Sequence, residues 1–114
     1  MKIGLINVSF GPSPILMIMH EMIKERGHES YFIHMPYLST KSRSDTSKHD
    51  TEIEHLIDEL MKICDADLFA FTCVTNTFIA CSRLIQEIKK RKNVPIAMGG
   101  IHSTAKPLEC LKYA

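Results

Sequence analysis

Apolar and polar positions along this chain switch repeatedly between two periods. Lys2 to Val8 (KIGLINV) is a short apolar run of the kind that forms a buried strand. Phe10-Gly11-Pro12-Ser13-Pro14 breaks it. Ile15, Leu16, Met19, Met22 and Ile23 then recur at helical spacing, and that run closes at Gly27 with Lys24 and Arg26 in its last turn. Tyr31 to Met35 reads as a second strand ended by Pro36. Residues 39–50 are polar without apolar periodicity, which predicts a mobile surface loop within one domain. Ile53, Leu56, Ile57, Leu60, Met61 and Cys64 mark one face of a second helix. Leu68 to Val74 is the third and most apolar strand. Phe78, Cys81, Leu84, Ile85 and Ile88 mark a third helix, Pro95 to Met98 a fourth strand, and a last helix begins near Pro107 with Leu108 and Leu111 inward.

The resulting order is β-α-β-α-β-α-β-α. Strands that are apolar throughout, instead of alternating, imply burial on both faces. This predicts a doubly wound parallel α/β sheet in three layers, α-β-α. A completed sheet of this kind has five strands in the order 2-1-3-4-5. No fifth strand follows the last helix, so residues 1–114 read as one domain truncated before that strand, a piece of a longer chain.

Composition narrows the class without naming a function. With 114 residues, 45% hydrophobic and 24% charged, the chain can bury a core unaided. A net charge of +1 supplies no basic field for nucleic acid. No apolar run approaches the roughly 20 residues that span a bilayer, and the start lacks a signal peptide's apolar core, which together read as cytoplasmic. Cys64, Cys73, Cys81 and Cys110 form no C-x-x-C pair and read as buried free thiols. Met17, Met19 and Met22 read as core filler, and Lys89-Lys90-Arg91-Lys92 as a solvated helix end. His20, His28, His34, His49 and His55 show no metal spacing.

Ligands of such sheets bind beyond the carboxyl ends of the strands. Three loops qualify: Ser9 to Pro14, Thr72 to Thr77, and Gly99 to Thr104. They carry hydroxyls, an amide and glycines, but no carboxylate and no Lys. That suits a neutral or anionic ligand with many polar edges, and suits acid–base or Mg²⁺ chemistry poorly. Asn7, Ser9 and Thr72 are not the acidic residues of a phospho-receiver, and no G-x-G-x-x-G or Gly-Lys-Ser/Thr occurs. Pro12 and Pro14 remove two donor N–H groups that a flavin phosphate loop would need. Gly99-Gly100 at a strand end either lets a ligand lie on bare backbone or forms a tight turn.

Thr72-Cys73-Val74 and Gly99-Gly100, 27 positions apart from Thr72 to Gly99, are similar in kind and spacing to the strand-end motifs of cobalamin-binding domains. Gly99-Gly100-Ile101-His102-Ser103-Thr104, then Pro107-Leu108-Glu109, resembles one branch of them: the amino-terminal domain of cobalamin-dependent radical SAM enzymes. Glu25-Arg26-Gly27-His28-Glu29 also looks like the end of that branch's first helix. The resemblance implies a flavodoxin-like (Rossmann-like) fold and a bound corrinoid. It implies that the nucleotide tail of cobalamin enters a slot at Gly99 and Gly100. Thr72 and Thr75 would bond its polar edge, Val74 would pack on its base, and Ile101 and His102 would line the mouth. Ser9, Phe10, Gly11 and Pro12 would underlie the corrin.

The first loop lacks the Asp-x-His-x-x-Gly of other branches, and no His precedes His20. The resemblance therefore implies a cobalt without a lower His ligand. The chain has no C-x-x-x-C-x-x-C motif, so the implied [4Fe-4S] cluster and S-adenosylmethionine belong to a carboxyl-terminal radical SAM domain, acting as methyltransferase or cyclase. Three other readings stay open: a fold-retaining interaction domain without cofactor, a nucleotide-binding module, and a small stand-alone enzyme using Asn76 or His102.

Overall fold

The computed structural model describes residues 1–8, 11–35 and 46–114, the last segment with side chains from Glu52 onward. Four strands form one all-parallel sheet: β1 (Lys2–Asn7), β2 (Glu29–His34), β3 (Leu68–Thr72) and β4 (Ile96–Gly99), in the order β2-β1-β3-β4. Five helices connect or follow them: α1 (Pro14–Glu25), α2 (Thr46–Ile63), α3 (Phe78–Arg91), α4 (Ile101–Ala105) and α5 (Pro107–Leu111), with a 3₁₀ turn at Thr75–Thr77. This is the doubly wound, flavodoxin-like α/β layout expected from the alternating periods.

Local chemistry sets the limits of α1. The Ser13 hydroxyl accepts from Leu16 N–H at 3.3 Å, and Pro14 occupies the first turn, where its missing N–H costs nothing. At the other end Gly27 N–H bonds the Lys24 carbonyl and His28 N–H the Ile23 carbonyl, a Schellman turn.

The main core lies on one side of the sheet. Ile6, Phe69 and Phe71 from the strands meet Ile57 and Leu60 of α2 and Leu84, Ile85 and Ile88 of α3. Arg91 ties these helices at the surface, reaching Asp58 at 2.6 Å and Glu87 at 2.7 Å. Lys90 and Arg91 hold the Glu87 carboxyl below its ordinary range. The basic end of α3 is exposed, as its reading as a solvated helix end expects, and Lys90, Arg91 and Lys92 are in addition paired with acids.

The opposite face is thinner. Among the described residues α1 is the helix that covers it, and α1 packs chiefly on β2 and β1. Leu16 and Leu5 are buried there, outside the main core. Met17, Met19 and Met22 are exposed, which corrects their reading as core filler: among the described residues no second helix lies beside α1 to cover its shoulder.

Three further expectations change. Within the stretch 39–50, residues 39–45 lie outside the described residues, whereas α2 already begins at Thr46. Apolar periodicity registers only turns that face a core, so a polar first turn leaves no such signal. The presumed loop from Gly99 to Thr104 contains α4. In α5 it is Cys110 that is buried, while Leu108 and Leu111 are 78% and 67% exposed. A five-residue helix shows one narrow stripe to the core, and here the smallest apolar residue occupies it.

All four cysteines are buried and free. A hydrogen bond shared by Cys73 and Cys81 pulls the Cys73 thiol down and, with burial, pushes Cys81 up. Titration with a disulfide reagent should therefore find no fast-reacting thiol in the folded protein and four in denaturant; rapid native labelling of Cys73 would contradict that burial.

Candidate ligand-binding site

Side chains alternate between the two faces of a strand, so the register assigns each residue to a side. His34, Asn7, Thr72 and Gly99 are register partners across all four strands, at their carboxyl ends. They lie on the α1 side, because the alternating residues Ile6 and Phe71 enter the α2–α3 core. The next row on that side is Phe32, Leu5, Ala70 and Ala97.

Over β3 and β4 this face is a strip of small residues. Ala97 and Gly99 are exposed, and Ala70 and Thr72 half-buried. The strip has one apolar wall. His20 of α1 leans toward β2, with Nδ1 at 2.8 Å from the Ser30 hydroxyl and its ring edge-on to Phe32. At about 100° per residue, Met19, Ile15 and Met22 occupy the shoulder away from His20, facing β3 and β4. They are 39%, 71% and 47% exposed.

The glycine pair divides its work. A Cβ on Gly99 would meet nothing within 4 Å, so this position leaves the strip floor bare. A Cβ on Gly100 would lie 2.8 Å from the Cys73 carbonyl oxygen and 3.2 Å from the Thr72 hydroxyl, and φ there is +100°. Gly100 is therefore the tight turn that starts α4, and Gly99 is the open approach. The tight turn read from the sequence is realised at Gly100, while Gly99 leaves the end of its strand open.

The other candidates are placed unevenly. Gly11 and Pro12 lie in the loop after β1, where the Gly11 carbonyl accepts from the Asn7 amide at 3.0 Å. Ser9 and Phe10 lie outside the described residues. Val74, Thr75 and Ile101 are exposed near the β3 and β4 ends. His102 is turned inward. It is 4% exposed, stacks on Phe78 with ring centroids 4.3 Å apart, and sets Nδ1 at 3.2 Å from the Thr75 hydroxyl. Its Nε2 has no hydrogen bond and lies 3.5 Å from a Glu109 oxygen. The ring pins the start of α4 to the start of α3, on the core side of the sheet.

Asn7 and His34 join the carboxyl-end row although no motif singles them out. A polar residue closing an apolar strand run was the available signal. Asn7 is 1% exposed and its amide also reaches His34 Nδ1, at 2.9 Å. Among the described residues no group of His, Cys, Asp and Glu is placed to hold a metal ion. None of the described helices is long and apolar enough to cross a membrane.

The strip is open-floored, walled on one side by Ile and Met, edged by hydroxyls and free of carboxylates. Such a surface takes a flat, uncharged ring by apolar contact and a polar rim by hydrogen bonds. The charged depression between α2 and α3, lined by Glu54, Arg83, Glu87 and Lys90, has no apolar floor of this kind. In comparisons with known proteins, the family model described as the B12 binding domain matches residues 8–114. No curated protein and no solved structure gives a significant match.

Proposed function

The chain belongs to the B12-binding domain family, and on that premise we propose that it holds cobalamin with the nucleotide tail against Gly99. The single observation that carries this placement is the open space a Gly99 Cβ would enter, beside the apolar shoulder of α1. The residues fit the group. Thr72 and Thr75 offer hydroxyls to polar edges, and Val74 an apolar contact near the base. Gly11 and Pro12 underlie the corrin, while Gly100 shapes the turn. Ile101 borders the mouth, and His102 acts from behind by holding Thr75. When bound, the corrinoid supplies group-transfer chemistry at its metal. The chain's own part is to bind, orient and shield it.

The finer reading is an accessory domain of a radical SAM methyltransferase or cyclase, with the cobalt lacking a protein His ligand. Its support is the Gly99-to-Glu109 run and a first loop that contains no imidazole. The [4Fe-4S] cluster and S-adenosylmethionine would be held by a carboxyl-terminal domain, which would also cap the corrin. A cysteine triplet spaced three and two downstream of Ala114 would support this; a coding sequence without one removes the radical SAM partner.

Incubating the full-length protein with hydroxocobalamin and desalting it tests the core claim. Retention of about one corrinoid per chain is expected. A colourless full-length protein favours the second reading, an interaction domain without cofactor, for which the exposed Ile15, Ile18, Leu108 and Leu111 speak. Titration with ATP or FMN separates out a nucleotide-binding module.

A further inference from the structure

The Asn7–His34 pair carries an inference that rests on the cobalamin reading and extends it to β2. The Asn7 atom that faces the Gly11 carbonyl at 3.0 Å must be the amide nitrogen, since a carbonyl can only accept. The same nitrogen stands 2.9 Å from His34 Nδ1. An amide NH₂ has no lone pair to offer, so His34 Nδ1 must accept. A neutral imidazole has one accepting nitrogen; with Nδ1 committed, the proton resides on Nε2. No hydrogen bond engages Nε2 among the described residues, and His34 is exposed.

We infer that His34 is a cofactor-binding residue that donates its Nε2–H to a carbonyl on the amide-bearing rim of the corrinoid, and is not a ligand to the metal. Its position supports contact with the same ligand as Gly99. The row His34-Asn7-Thr72-Gly99 crosses three strand spacings, about 14 Å in all, within the span of a corrin with its amide arms. The assignment is consistent with the proposed cobalt that lacks a protein imidazole. His34 and His102 are the described histidines at the carboxyl ends of the strands. Asn7 occupies the lone pair of the first, and the second is buried on the core side. Asn7, itself fixed by the Gly11 carbonyl, is thus a positioning residue for His34.

Three measurements on the full-length protein test this. In ¹⁵N-labelled apoprotein, two-bond proton–nitrogen correlation, with the ring assigned by H34Q, should give the Nε2–H pattern; an Nδ1–H pattern overturns the inference without reference to any cofactor. In hydroxocobalamin binding, H34L should weaken affinity about tenfold, the worth of one hydrogen bond, while H34Q, which keeps a donor, should stay within about threefold. Equal affinity of H34L and wild type overturns the rim contact and leaves the cobalamin reading standing. A wild type that binds no corrinoid overturns that reading and the rim contact together, and the tautomer is still decided by the apoprotein spectrum. Finally, with ¹⁵N-histidine-labelled protein and unlabelled cofactor, the cobalt(II) electron paramagnetic resonance spectrum should show no ¹⁵N doublet. A doublet that disappears in H34L would make His34 a metal ligand.

Discussion

Replacing Gly99 by leucine should abolish corrinoid retention, lowering affinity at least about a hundredfold, while leaving thermal stability within a degree or two. The Cβ of residue 99 enters open space, so the folded protein meets no clash. Gly99 ends an edge strand whose backbone stays paired, with Cys73 N–H on the Gly99 carbonyl at 2.8 Å. A leucine there is also the better strand former, since glycine has more backbone freedom to lose on folding. Its side chain would fill the strip floor between Thr72, Ala97 and the shoulder of α1. A tail excluded from the floor loses most of its apolar contact, at about 25 cal/mol per Å². Equilibrium binding of hydroxocobalamin with parallel thermal unfolding reads both effects. Unchanged affinity in a folded G99L protein would place the tail elsewhere.

The adjacent substitution should fail in the opposite way. Gly100→Val should destabilise the fold by about 2–4 kcal/mol, seen as a lowered urea midpoint at unchanged slope. Two costs combine. The backbone at φ +100° and ψ −173° is in a region open essentially to glycine alone. A Cβ would also meet the Cys73 carbonyl oxygen at 2.8 Å and its nitrogen at 3.1 Å, both atoms of paired backbone. The clash would push α4 off the end of β3 and break the His102 N–H bond to the Cys73 carbonyl at 3.2 Å. Gly100→Ala should show most of the effect, since both costs fall on the Cβ itself. Wild-type stability in G100V would mean that the turn relaxes freely and that both glycines serve the ligand.

His102 shows how far a motif reads and where it stops. Its place beside a glycine pair marks it as part of a strand-end loop. Which way the ring turns depends on Phe78 and Glu109, which lie 24 positions before it and 7 after it. The same holds for α1. Helical spacing correctly marks Ile15, Leu16, Met19, Met22 and Ile23 as one helix, but Leu16 alone is buried. Ile15, Met19 and Met22 are exposed and Ile23 is half-buried.

By itself the sequence determined the order of strands and helices, and from it the parallel doubly wound class. Apolar runs and helical periods are local consequences of burial on both faces or on one. It also determined the polar, carboxylate-free character of the strand ends. Tertiary structure alone decided that Gly99 faces open space while Gly100 faces backbone, that the Asn7 amide meets His34 Nδ1, and that His102 is buried. Each of these follows from register and packing between segments distant in the chain. A linear pattern holds the period of a strand but not its phase against a neighbour, and that phase selects the side on which each residue works.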